Sequence, residues 1–216
     1  MAAYKKSDWL IPAGLIALAL IPVVAGTVRL VMLASGVPVT PDNARFIAHP
    51  TPVVLHIVSV TIYCVVGAFQ FSPGFRRRHS RWHRVAGRGL VPAGLVAALS
   101  GLWMAMTYAI VPADNALLHG FRLLAGFGMA ASLVLGYIAI RQRKVEIHQA
   151  WMRRAYAIGQ GAGTQAFILI LPSVLGILDE MTRALFMGAA WLINLGVAEW
   201  LIRRRRQKTR LVPAAA

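Results

Sequence analysis

Six apolar runs, each about as long as a bilayer is thick and joined only by short polar breaks, constrain this chain more than any other feature. A hydrocarbon core of roughly 30 Å needs about 20 apolar residues per helical crossing. The runs predict helices at about 9–33, 52–71, 84–111, 116–140, 148–178 and 184–202. The expected fold is an all-α polytopic integral membrane protein, a single six-helix transmembrane domain over 1–216 with helices two to five as a four-helix core. The breaks carry turn chemistry: Gly36, Pro38 and Pro41, then Ser72, Pro73 and Gly74, then Pro112, Ala113, Asp114 and Asn115, then Asp179 and Glu180. Pro12, Pro22, Pro92 and Pro172 fall within spans, which lipid-embedded helices tolerate.

Composition enters as a check. Hydrophobic residues make up 58% of the chain and charged residues 14%, well below the quarter or so typical of soluble domains. That excludes a disordered chain, a secreted disulfide scaffold and a nucleic-acid module. The lone cysteine, Cys64, lies inside an apolar run, so no thiolate cluster or C-x-x-C-H haem attachment is encoded. Any metal would be held by nitrogen or oxygen.

Charge then sets topology. The chain has 23 Lys and Arg against 7 Asp and Glu, a net +16. With six crossings and both termini in the cytoplasm, the groups at Lys5 and Lys6, Arg76 to Arg88, Arg141 to Arg154 and Arg203 to Arg210 share one face. Only Arg29, Arg45, Arg122 and Arg183 lie toward the other, where Asp42, Asp114, Asp179 and Glu180 balance them. This is a positive-inside pattern. Most of the arginines need no role beyond topology and anionic lipid. Trp9, Trp82, Trp151 and Trp200 fit an aromatic belt at the same face. The first run is too long for a signal-peptide core and is read as an uncleaved helix.

Ionisable groups inside spans are functional candidates. The centres of all six spans lack Asp, Glu, Lys and Arg, which argues against a proton-driven transporter. A metal transporter also lacks its midplane acid, its thiolate and its pair of interrupted helices. Histidines are what remain. His56 and His119 sit near the outer ends of helices two and four; His83 and His148 sit near the inner ends of helices three and five. Two imidazoles facing each other across a four-helix bundle are what a six-coordinate haem b requires. Small residues follow at helical spacing: Gly87, Gly94, Ala98 and Gly101 after His83, and Ala155, Gly159, Ala162 and Ala166 after His148. They suit a haem slot or, equally, close helix packing. Arg122, one turn from His119, and Arg88 and Arg154 at the starts of apolar helix are candidate partners for haem propionates. Gln160, Thr164, Gln165 and Asn194 suit a quinone pocket or hydrogen bonds between helices. His49 and His79 receive no role, and no catalytic residue is assigned.

Two motifs are more specific. His83-Arg84-Val85-Ala86-Gly87-Arg88 opens helix three as H-R-x-x-G-R, and the stretch from His148 to Tyr156 opens helix five as H-x-x-W-M-x-R-x-Y. With the G-A-F-Q-F stretch at 67–71, they resemble a family of predicted bacterial inner-membrane proteins catalogued as a domain of unknown function, over about 50–160. This resemblance implies a bacterial inner membrane as the location. A weaker resemblance is to six-helix, two-haem, ascorbate-reducible cytochromes b, whose central helices carry four histidines. That resemblance implies His56 with His119 and His83 with His148 as axial pairs on haem iron.

Two functional readings follow. One is a haem b protein carrying electrons across or within the membrane, its partners a redox protein or membrane complex and a quinone or ascorbate-like small molecule. The other is a non-enzymatic accessory or assembly subunit whose histidines and arginines bind lipid headgroups or a protein.

Overall fold

The structure is a computed structural model that describes residues 7–111 and 114–210, without the side chains of Ser7, Lys208, Thr209 and Arg210. Lys5, Lys6, Pro112 and Ala113, used above, therefore lie outside the described residues. In lipid every backbone polar group must be satisfied within its own segment, so long apolar runs become helices. Helices α1 (Ser7–Ala34), α3 (Pro50–Ala68), α5 (Ser80–Thr107), α6 (Ala116–Arg141) and α10 (Glu180–Arg210) are the long ones. Among the described residues there is no strand. Among the described residues five helices are long and apolar enough to cross a membrane, six when one bent pair counts as a span.

That bent pair is the main departure from expectation. The fifth span is not one helix over 148–178 but α7 (Val145–Gly159), α8 (Gly161–Ile168) and α9 (Ile170–Val174), with a bend of 42° at Gln160. Gly159, Gly161 and Gly163 supply little helical stiffness, and the bend lets Gly161 accept Trp191 and Gly163 accept the Leu18 carbonyl at close range. One interrupted span is thus present among the described residues, where the metal-transporter reading expects a pair of them. The third helix stops at Thr107 rather than 111, because Tyr108 turns to extended backbone.

Short helices fold the connections back. α2 (Ala44–Ala48) follows the first span, and a 3₁₀ turn at Phe69–Phe71 leads into α4 (Pro73–Arg78). Ser72 caps α4: its hydroxyl accepts from Phe75 N at 3.2 Å and donates to the Asp8 carbonyl at 2.7 Å, tying α4 to α1. Asn115 caps α6 by accepting from Leu118 N at 3.0 Å. Gly36 ends the α1 segment with φ +64°, the left-handed region glycine favours.

Packing runs around the bundle: α3 on α5, α5 on α6, α6 on α7, with α1 outside α3 and α10 covering α6, α7 and α8. The core is built from Tyr63, Cys64, Leu90, Ala97, Ala98, Met129, Leu133, Ala155 and Tyr156. Tyr63 fills the centre. A Cβ at Gly94 would lie 2.7 Å from its ring and one at Gly159 3.0 Å from it; Tyr156 stands in the same relation to Gly67, at 2.8 Å. The small-residue stripes are thus occupied by aromatic rings at mid-depth. Of the two uses open to them, close packing is the one seen there.

Candidate functional site: a histidine and arginine cluster at one end of the bundle

The four histidines do not behave alike. His56 turns toward α5, its Nδ1 2.8 Å from the Ala97 carbonyl and its ring against Gly101. A carbonyl only accepts, so Nδ1 carries the proton and donates, and Nε2 holds the lone pair of the neutral ring. His119 is partly buried on the first turn of α6 and makes no side-chain hydrogen bond among the described residues. Nothing brings His56 onto it. His83 and His148 do come together: they lie within electrostatic reach of each other, across the bundle from α5 to α7. His148 Nδ1 donates to the Gly136 carbonyl at 2.8 Å, so its Nε2 is the open atom. His83 Nδ1 is buried and has no hydrogen-bond partner among the described residues.

Three arginines from three elements lie near one another at this end, one of them beside His83. Arg76 on α4 is within reach of His83, and Arg153 on α7 is within reach of Arg76 and of Arg205 on α10. Burial first, and then the charges of Arg205 and Arg77, hold Arg76 below the ordinary arginine range, though it stays cationic. Among the described residues neither Arg76 nor Arg153 makes an ion pair or side-chain hydrogen bond, although both are partly buried. A pocket between α7 and α10 opens beside them, lined by Glu146, Gln149, Arg153, Arg205 and Arg206; Glu146 makes no ion pair among the described residues. Gln70 Nε2 and Gln149 Oε1, at the same end of the bundle, are buried without partners among the described residues. The local fold explains the gathering. Ser72 and Pro73 start α4 and turn it back, Trp9, Phe69, Phe75 and Trp82 pack edge-on around it, and so Arg76 is held against the bundle.

The arginines expected beside the histidines go elsewhere. Arg154 forks onto Glu199, Nε to Oε1 at 2.5 Å and Nη2 to Oε2 at 3.1 Å, and stacks over Trp151 at 4.5 Å. Arg122 bonds Asp114 at 2.7 Å. Arg88 is exposed and makes no ion pair among the described residues. The carboxylates that Arg154 and Arg122 meet are thus the protein's own. Sequence reasoning missed Arg76 and Arg205 because it read them into uniform basic runs; the S-P-G turn ahead of Arg76 was the signal that its run folds back. The polar residues of span five join helices: Thr164 Oγ1 donates to Asn194 Oδ1 at 2.8 Å, Gln165 Nε2 to the Met187 carbonyl and Gln160 Nε2 to the Leu15 carbonyl, each at 3.2 Å.

Haem chemistry can be tested against these residues. At the end holding His83 and His148 the residue types are those a haem would need, two imidazoles, one with Nε2 open, and cationic side chains near His83. At the other end the arrangement does not fit, because His56 packs onto α5 and Arg122 is spent on Asp114. Among the described residues no three His, Cys, Asp or Glu side chains gather as a metal site.

Fold and site together define a polytopic, all-helical membrane protein with one strongly basic end. The chain belongs to the family described as Predicted membrane protein (DUF2306), whose model matches residues 53–202. That span takes in both motifs and extends beyond the stretch expected from them, through α8, α9 and most of α10. No curated protein and no solved structure matches the chain, so the resemblance to cytochromes b gains no support.

Proposed function

We propose that this chain is a non-enzymatic integral membrane protein, a single transmembrane domain, whose basic end binds the phosphate headgroup of anionic lipid through Arg76, Arg153 and the adjoining His83. One observation carries the reading: two partly buried guanidiniums lie within electrostatic reach of each other, and among the described residues neither has a carboxylate in ion-pair contact. Placing like charges together away from water is costly unless an anion joins them, and arginine forks match phosphate geometry. The excess of basic residues at this end supports a cytoplasmic setting for it, with both termini on that side, and a bacterial inner membrane as the location.

Protein in mild detergent, titrated with phosphatidylglycerol or phosphatidylcholine in mixed micelles, tests this by thermal unfolding. Phosphatidylglycerol should raise the midpoint more than phosphatidylcholine does, and Arg76→Gln with Arg153→Gln should reduce the difference, while an unchanged difference would contradict the reading.

A second reading, haem b carried on His83 and His148 with electron transfer to a redox partner or quinone, is favoured by the open Nε2 of His148. It predicts a Soret band that shifts with dithionite and is lost in His148→Ala. A colourless protein from haem-replete cells would sink it.

A further inference from the structure

At the opposite end of the bundle, three arginines from three different helices lie about one carboxylate, and a fourth, from another helix, adjoins them. Arg122 on α6 bonds Asp114 Oδ2 at 2.7 Å, and Arg183 on α10 approaches Asp114 Oδ1 at 3.6 Å, close enough to pair but too far to hydrogen-bond. Arg45 on α2 is within electrostatic reach of Asp114, Arg122 and Arg29. Arg29, on α1, and Arg45 both stack on the Phe46 ring, at 4.6 and 4.7 Å, which fixes their guanidinium planes. Asp114 has only 4% of its side chain exposed. Burial before any charge lowers the Arg45 pKa from the ordinary arginine value.

The charges and the hydrogen bonds both fall short. The cluster sets four guanidiniums against one buried carboxylate, which among the described residues only Arg122 and Arg183 contact. Asp42 and Glu180, at the same end, are exposed and in no ion pair among the described residues, and Asp179 is engaged with Thr182 N. Arg45 donates through Nη1 to the Ala109 carbonyl at 3.4 Å, but its Nε is a buried donor without a partner among the described residues, whereas Arg183 Nε and Asp114 Oδ1 are a buried donor and acceptor that face each other just beyond bonding distance. A donor such as Arg45 Nε costs free energy unless an acceptor reaches it, and here it comes with an excess of positive charge. This face is also the one on which the chain otherwise avoids basic residues. Topology therefore gives no reason for these four to be arginine.

We propose that Arg29, Arg45, Arg122 and Arg183 form a binding site for a phosphate group, supplied by a lipid headgroup or by a free phosphate anion. Asp114 orients Arg122 and Arg183 at its floor, and Arg45 and Arg29, held on Phe46, close it from the side. The site is independent of the one at the basic end and shares no residue with it.

The test is thermal unfolding of the detergent-purified chain, followed by tryptophan fluorescence, with inorganic phosphate in one arm and phosphatidylglycerol against phosphatidylcholine in the other. A saturating ligand should raise the midpoint by about 5 °C. A rise with phosphate identifies a free anion; a rise with phosphatidylglycerol alone identifies lipid. Either supports the site if Arg45→Gln reduces the rise while Arg153→Gln leaves that reduction to be seen. Should Arg45→Gln not fold, Arg29→Gln, which makes no ion pair to lose, reads the same quantity. No rise with either probe, or an undiminished rise in both Arg45→Gln and Arg29→Gln, overturns the proposal. Loss in Arg153→Gln alone would support the basic-end site and overturn this one.

Discussion

The ring of Tyr63 lies so close over Gly94 that a methyl group there would sit 2.7 Å from the ring and 2.9 Å from Leu133 Cδ1. The centre of the bundle is therefore set by an aromatic ring fitted to a bare backbone. Gly94→Ala should destabilise the protein by about 1–3 kcal/mol through overpacking, whereas Gly87→Ala, with nothing within 4 Å of the added carbon, should be neutral or slightly stabilising. Chemical denaturation of both variants in detergent measures the contrast.

Arg154 and Glu199 join α7 to α10 by a two-bonded fork. Both side chains are partly exposed, at 24% and 34%, so solvent screens the pair. A double-mutant cycle with Arg154→Gln and Glu199→Gln should give a coupling of about 1 kcal/mol, with each single variant costing no more than about 2. Exchange of the two residues would not restore it, because Arg154 also stacks on Trp151.

Asn115 does two things at the start of α6. Its Oδ1 accepts from Leu118 N, and its Nδ2 donates to the Glu180 carbonyl at 3.2 Å, fastening α6 to the start of α10. Asn115→Ala should cost about 1 kcal/mol for the cap, while Asn115→Asp should keep the cap and lose the tether. Unfolding midpoints of the two variants separate the contributions.

A pH dependence follows from Asp179. Thr182 N donates to its Oδ1 at 2.6 Å, and this bond above all lowers its carboxyl pKa from the ordinary aspartate value. Its contribution to stability is present above the unfolded-state pKa and is lost as pH falls through the folded one. Stability measured down to pH 3 should fall less steeply in Asp179→Asn than in the parent chain. The comparison is clean because the chain has only 7 acidic residues.

The spans were legible in the sequence because burial in lipid writes a long, one-signed apolar signal that no other fold needs. The ends of α6, at Ala116–Arg141, fall within a residue of the expected 116–140 because Asn115 and the polar stretch after Arg141 mark them. The break at Gln160 was not legible, since glycines are common in straight membrane helices, and only Trp191 and Leu18, distant in sequence, show what the bend accommodates. The small-residue stripes were visible but their occupant was not, because Tyr63 comes from another helix. In the candidate site, His83 and His148 stood out as histidines in motifs. Arg76 did not: within a run of three arginines, only the packing of α4 decides which one faces the bundle. The pairing of Arg122 with Asp114 was foreshadowed as a charge balance between faces, and its geometry required the loop before α6.

Native mass spectrometry of the purified chain, after exchange into micelles doped with phosphatidylglycerol, tests the central claim most directly. The wild-type chain should retain anionic lipid at the basic end, and the Arg76→Gln, Arg153→Gln variant should lose at least one bound lipid that Arg45→Gln keeps. Equal retention by the wild type and the Arg76→Gln, Arg153→Gln variant, or retention of phosphatidylcholine as readily as phosphatidylglycerol, would contradict it.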